Sequence, residues 1–269
     1  VRLFDSHAHL DTFARDGSLP EVLARAKAAG VCGIVTAGTT LADWPLYSRL
    51  AKEHPGYVHF AAGIHPTEIG ADWEEALAAL ASFWATEPKP VALGEVGLDY
   101  FHLPKDRSQA EKTVSLQKEV FRRQLEIALQ MDSPVIVHAR QSFADCVAAI
   151  DATGIDWNKV VFHCFSEGPE EIRLLNARGG RGSFTGTVTY KNAAKTRAAA
   201  LEQGMERLMV ETDCPYLAPE PLRGKVCEPA HVAHTLAALA RLLSMPEAEL
   251  AEATTRNAER FFAIATLFP

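Results

Sequence analysis

Phe4-Asp5-Ser6-His7-Ala8-His9 puts two imidazoles two residues apart near the start of the chain. In an extended strand alternate side chains share a face, so Asp5, His7 and His9 project together while Phe4, Ser6 and Ala8 face the other way. Neighbouring imidazoles on one face can share a divalent ion at about 2.0 to 2.1 Å per nitrogen. Such a pair on its own is more often structural than metal-binding. The weight changes because His65, Glu95, His138, His163 and Asp213 each close a later apolar run. Any one of them alone reads as a satisfied or solvent-facing residue; repeated at the same end of successive runs, they read as one site.

The donors His7, His9, Glu95, His138, His163 and Asp213 exceed what one tetrahedral ion with an open position can use. Two divalent metal ions are therefore expected. Glu95 has two oxygens and the central place in the order, and is expected to bridge, with His7, His9 and Asp213 on one side and His138 and His163 on the other. Ions about 3.5 to 4 Å apart can share a hydroxide and clamp the attacking and leaving oxygens of a displacement at phosphorus. Asp213 would accept a proton from the water, so Asp213 and Glu95 are the expected catalytic carboxylates. By ligand softness a His-rich set favours Zn or Mn.

Strands must carry these residues. Leu3 to His7 is followed by Leu19, Val22, Leu23 and Ala26 at helical spacing, ending at Gly30. Further strands are predicted at Val31 to Ala37, Tyr57 to Ile64, Val91 to Glu95, Pro134 to His138, Val160 to Cys164, Gly182 to Thr185 (the weakest) and Leu208 to Asp213. Helices are predicted near Leu41 to Glu53 and Ser108 to Met131. After Pro229 come a helix carrying Leu236, Leu239, Leu242 and Leu243, a capping box at Ser244-Met245-Pro246-Glu247, and a last helix to about Arg260. Short, nearly continuous apolar runs alternating with helices fit parallel strands covered on both faces. An α/β fold of the (β/α)8 TIM-barrel type is expected, as a single domain over 1–269 with the helices of 230–262 packed on the barrel; a doubly wound open sheet is the alternative. In such a barrel, polar side chains at the C-terminal strand ends converge on one pocket.

With 48% hydrophobic and 23% charged residues the chain can bury a large core, and nothing in it reads as disordered. The net charge of -7 argues against a broad basic surface for duplex nucleic acid, while leaving room for a local positive pocket. Cysteines 32, 146, 164, 214 and 227 are odd in number and irregular in spacing, which argues against a disulfide framework. No apolar run approaches a membrane span and the chain enters a strand at once, so a cytoplasmic monomer with no membrane partner is expected.

The chain resembles the TatD-type metal-dependent deoxyribonucleases of the amidohydrolase-like barrel superfamily. The matching stretches are Phe4-Asp5-Ser6-His7-Ala8-His9-Leu10-Asp11, Gly63-Ile64-His65-Pro66, Gly94-Glu95-Val96-Gly97-Leu98-Asp99-Tyr100, Val137-His138-Ala139-Arg140, His163-Cys164-Phe165-Ser166, Glu211 through Pro219, and Thr254-Thr255-Arg256-Asn257-Ala258, in order over nearly the whole chain. The resemblance implies a barrel, divalent metals (Mg in use) at the residues above, and 3′ to 5′ removal of nucleotides from single-stranded or damaged DNA, as in DNA repair. It also implies that His65 and Arg140 hold phosphate oxygens, a role that suits a fixed cationic fork. Where the family commonly has Asn-Glu-Pro, this chain has Cys227-Glu228-Pro229, in a loop for which a substrate contact by Glu228 is implied.

Other residues read less sharply. Cys164 and Cys214 adjoin ligand candidates but fall on the opposite strand face, so packing is the reading for both. Asp5 and Glu211, two positions before His7 and Asp213, are expected to orient an imidazole, pair with Arg140, or make a structural hydrogen bond. Tyr100, Phe101 and His102 follow the fourth strand, where aromatics could stack on an unpaired base or pack on the rim. Lys105, Arg107, Lys191, Arg223 and Lys225 follow strands, either as solvated surface or as cations around the mouth. Gly179-Gly180-Arg181-Gly182 lacks a phosphate-loop pattern and reads as a turn into the seventh strand. On the same metal site an amidohydrolase or esterase, such as a D-aminoacyl-tRNA deacylase, is the alternative activity, and a binding protein without catalysis a third.

Overall fold

Apolar runs of the sequence become strands buried on both faces, and β1 (Leu3–Ala8), β2 (Val31–Ala37) and β4 (Ala92–Asp99) have no exposed residue along their length. The computed structural model describes residues 1–264. With β3 (Val58–Ala62), β5 (Val135–Arg140), β6 (Val160–Phe162), β7 (Arg181–Phe184) and β8 (Met209–Val210), the strands form one eight-stranded parallel sheet in sequence order. Helices fill the crossovers: α1 (Asp11–Asp16) and α2 (Leu19–Ala28), α3 (Trp44–Glu53), α4 (Trp73–Trp84), α5 (Arg107–Gln130), α6 (Phe143–Thr153), α7 (Pro169–Arg178) and α8 (Ala194–Gln203). Two more, α9 (Val232–Leu243) and α10 (Glu247–Phe262), follow β8. This is a (β/α)8 barrel. Among the described residues no helix is long and apolar enough to cross a membrane.

The helices are held by apolar stripes and by specific polar ties. Helix α5 turns Val120, Phe121, Leu125 and Ala128 into the core, each large side chain contributing about 1.5–3 kcal/mol relative to exposure. From its buried face Gln124 exchanges hydrogen bonds with the backbone of Ile64, and Gln117 with that of Asp99. One side chain therefore satisfies the peptide groups just past β3, and the other those at the end of β4, where the barrel ladder stops. Helix α10 packs on β1 and β8 and closes the opposite end. Asn257 donates to the carbonyls of Met205 and Leu208 at 2.8 and 2.9 Å, and Phe262 stacks on Phe4.

The β1–β8 seam is completed by side chains. Asp5 accepts from the Thr212 amide and hydroxyl at 2.8 and 2.6 Å, and Ser6 donates to the Val210 carbonyl at 3.0 Å. Backbone bonds from Asp213 to His7 and from His9 to Cys214 finish the join. Asp5 thus makes a structural bond across the seam. Because its carboxylate takes the Thr212 amide, regular strand ends at Val210, short of the Asp213 that the sequence predicts.

Further boundaries differ from the sequence expectation: β3 stops at Ala62 and β6 at Phe162, short of the predicted Ile64 and Cys164, and β5 runs past His138 to Arg140. Strand β4 runs on past Glu95 to Asp99. Helix α1 fills the first crossover ahead of α2, burying Phe13. Ser244 does not cap α10: it ends α9 in the left-handed conformation at φ 54°, and Pro246 precedes α10 with an extended backbone. Proline supplies no side-chain acceptor, so the serine-glutamate box does not form. The glycine stretch behaves as a turn, with Gly179 ending α7 at φ 103°.

Candidate active site

Glu95, only 3% exposed, stands at the centre of the C-terminal barrel mouth. Its Oε2 lies 3.3 Å from His7 Nε2 and 3.5 Å from His9 Nε2. Asp213 Oδ1 faces the same two nitrogens at 3.7 and 3.5 Å. The other Glu95 oxygen, Oε1, lies 2.7 Å from His163 Nε2, 2.8 Å from His138 Nδ1 and 3.2 Å from His65 Nε2. The carboxylate therefore separates two clusters of donors brought in by β1, β5 and the segments just after β1, β3, β6 and β8.

The hydrogen bonds behind the rings fix where their lone pairs point. His9 Nδ1 faces the Ala37 carbonyl at 3.2 Å, so that nitrogen carries a proton and Nε2 is the atom left to hold either a second proton or a cation against Glu95 and Asp213. His138 Nε2 meets Asp99 Oδ2 at 3.1 Å, which leaves Nδ1 facing Glu95 with its lone pair. His7 and His9 bring their Nε2 atoms within 3.3 Å of each other, and His163 Nε2 and His138 Nδ1 come within 3.4 Å. Lone pairs converging on carboxylate oxygens repel unless a proton or cation lies between them. This donor set fits divalent metal. Ligand atoms of His7, His9 and Glu95, and separately of His65, Glu95 and His138, fall within 4.8 Å of one another.

Protonation behaviour reflects the same crowding. Burial pulls the His9 pKa down, but its bond to Asp213 and the charges of Glu95 and Asp213 prevail and push it up to about 9. Burial would raise Glu95, yet the charges of His163 and His65 and the bonds from His138 and His163 hold it well below the usual carboxylate range. Asp213 is likewise lowered against burial, chiefly by His9 and His163. Both carboxylates are thus ionised at neutral pH.

Glu211 and Asp99 complete the surroundings. Glu211 accepts from the Cys164 amide at 2.6 Å, from Ser183 and from Ser6, and its Oε1 lies 3.5 Å from His163 Nδ1. It thereby ties β1, β6 and β7 beneath the site and backs the His163 ring. Asp99 was not among the sequence candidates. It lies four residues beyond Glu95, on the same strand face by period two, and that spacing was the available signal.

Of the remaining sequence candidates, His65, Arg140 and His102 line a cavity of about 820 Å³, with Tyr216 beside them, whereas Tyr100, Arg223 and Glu228 lie outside its walls. His65 turns Nδ1 to Thr67 at 2.8 Å and Nε2 to Glu95, so it joins the central cluster. Arg140 lies 4.0 Å from the Phe101 ring centre, and among the described residues no carboxylate pairs with it. His102 is held through Nδ1 by Asp99 at 2.9 Å. Tyr100 turns towards α6, donating to Asp145 at 2.7 Å. Arg223 covers the Tyr190 ring at 4.4 Å. Glu228 is engaged elsewhere, accepting from Arg25 of α2 at 2.7 and 2.9 Å, and Cys227 beside it is fully buried. The Cys164 thiol faces Thr185 and that of Cys214 is fully buried; burial pushes both well above the usual thiol range.

A parallel barrel whose mouth gathers imidazoles and carboxylates around one buried glutamate defines a metal-dependent hydrolase. Residues 4–263 match the family described as TatD related DNase, and the chain belongs to that family. It is 39% identical over 266 residues to the uncharacterized metal-dependent hydrolase YabD of Bacillus subtilis, covering 97% of this chain and 99% of that relative. It is 34% identical over 276 residues to the 3′-5′ ssDNA/RNA exonuclease TatD of Citrobacter rodentium, covering 97% and 98%. Among solved structures, the TatD homolog YJJV of Escherichia coli K12 superposes with a TM-score of 0.88 at 27% identity, over 98% of this chain and 99% of that one.

Proposed function

We propose that this metal-dependent hydrolase is a phosphodiesterase that removes nucleotides 3′ to 5′ from single-stranded or damaged DNA, with two divalent cations held on the two sides of Glu95. The observation that carries the reading is the division of labour within Glu95: Oε2 faces His7 and His9, whose Nε2 atoms Asp213 also faces, while Oε1 faces His65, His138 and His163. Bound there, a pair of such ions would supply Lewis acidity to a phosphoryl oxygen and make water acidic enough to attack near neutral pH. Asp213, ionised and at the open edge of the cluster, accepts the proton that the attacking water gives up. Arg140, free of carboxylate partners among the described residues, offers a planar fork to the remaining phosphate oxygens. His102 lines the cavity and gives its Nδ1 proton to Asp99, which leaves the other ring nitrogen an acceptor in the neutral imidazole. The Citrobacter rodentium relative's name supports a nucleic-acid strand as substrate.

The experiment is hydrolysis of 3′-labelled and 5′-labelled single-stranded oligonucleotides by chelator-stripped protein, with Mg, Mn or Zn restored separately. Release of mononucleotides from the 3′ end only when an ion is restored is expected. No cleavage with any ion, in folded and metal-loaded protein that hydrolyses esters or amides, would sink the reading.

A further inference from the structure

Two aromatic rings that the fold leaves in water stand at the cavity: Tyr216 lines it, and Phe101 packs on Arg140 and His102, which line it. Phe101 is 53% and Tyr216 62% exposed, and the other strongly exposed large apolar residues among those described are aliphatic: Val1, Leu116, Leu129, Leu174, Leu201 and Val226. Leaving such a ring outside the core forgoes about 1.5–3 kcal/mol of burial. Phe101 follows β4 and Tyr216 follows β8; four strands apart in an eight-membered ring, they stand on opposite sides of the mouth with the Glu95 cluster between them.

Neither ring hangs on a loose loop. The Phe101 amide donates to Asp99 at 2.9 Å, the Arg140 guanidinium lies 4.0 Å from its ring centre, and His102 meets it edge-on at 4.9 Å. The Tyr216 amide donates to the Asp213 carbonyl at 3.0 Å, and its ring stands edge-on to His9 at 6.3 Å. Each platform is therefore tied by its backbone to a carboxylate residue of the site. The backbone beneath each ring is thereby held in place relative to the Glu95 cluster.

We propose that Phe101 and Tyr216 are two stacking platforms that grip the unpaired bases on either side of the scissile phosphodiester, an assignment that rests on the phosphodiesterase reading above. Every base has a π-face, so stacking on the two rings tolerates any sequence. Paired bases are stacked on their neighbours and unavailable, so the grip selects single strands and frayed ends. It uses the bases rather than the 2′ position, and so treats deoxyribose and ribose strands alike. The smallest good substrate carries a base on both sides of the cleaved bond.

The test uses an oligonucleotide with a non-hydrolysable phosphonate at its terminal linkage and the fluorescent base 2-aminopurine at the last or the penultimate position, added to metal-loaded protein. Quenching is expected at both positions. Phe101→Leu should relieve it at one and Tyr216→Leu at the other, each weakening binding by about 5- to 150-fold, the worth of one base–aromatic stack. With cleavable strands, removing a ring and removing the base that it grips should together cost no more in kcat/KM than either alone. Quenching at both positions that survives both substitutions, or losses that are the same for intact and abasic strands, would overturn the proposal. Ring-dependent quenching in a protein that cleaves no oligonucleotide would leave the platforms standing and reject the hydrolytic reading instead.

Discussion

Asp99 is 1% exposed and both of its oxygens are committed. Oδ1 accepts from the Phe101 and His102 amides, and Oδ2 faces His138 Nε2 and His102 Nδ1 at 3.1 and 2.9 Å. Burial would raise its pKa, but the bonds from His138 and His102 pull it well below the usual carboxylate range. A permanent anion behind His138 fixes the ring's tautomer and makes the nitrogen that faces Glu95 a better donor. Asp99→Asn should therefore weaken divalent-ion affinity by about 10- to 100-fold while leaving the thermal transition of the stripped protein near its wild-type position. Titration calorimetry against a competing chelator reads this, and wild-type affinity in the variant would remove the role. The ligand-type residues at the mouth were legible because a His or carboxylate ending an apolar run is chemically conspicuous. Asp99 was not, because β4 reads from the sequence as ending at Glu95.

The continuation of β4 is made possible by one glycine. Gly97 has φ 145° and pairs across the ladder with His138; a Cβ there would lie 1.9 Å from the His138 carbonyl oxygen. Both the backbone angle and the close approach call for glycine, and together they carry the chain from Glu95 to Asp99 beside β5. Gly97→Ala should cost at least about 1–3 kcal/mol of stability and, by pushing β5 away, lower ion affinity as well. Urea unfolding of stripped protein, paired with ion titration, measures both; a variant with wild-type values in each would refute this account of the strand. Element order was legible from the alternation of apolar runs and helical stripes. The ends of elements were not, because side chains from distant segments set them. The Asp5 carboxylate ends β8, and the left-handed turn at Ser244 replaces the capping box. Helix α1 buries only Phe13, too short a stripe to register as periodic.

At the scale of the molecule the two ends of the barrel divide the work. One end is closed by α10 through Asn257 and the Phe4–Phe262 stack, and the other brings buried charge together from strands all round the ring. Imidazoles and carboxylates packed this tightly are held against their mutual desolvation, and the unfolded chain has no comparable arrangement. A divalent ion that binds only the folded barrel adds RT ln(1 + [L]/Kd), which is about 2.7 kcal/mol at a hundredfold excess over Kd. For a barrel of this size that corresponds to a rise of roughly 5–10 °C in melting temperature. Chelation should thus lower the melting temperature by several degrees and restored ion should recover it. In Glu95→Gln, which removes the charge shared by both clusters, the response to chelator and ion should largely vanish. Calorimetric scans of the two proteins with and without chelator decide the matter. An unchanged wild-type transition on full stripping would mean that the mouth is stable without ions, and that protons on His9 and His163, whose pKa values the surrounding carboxylates raise, suffice to hold its charges together.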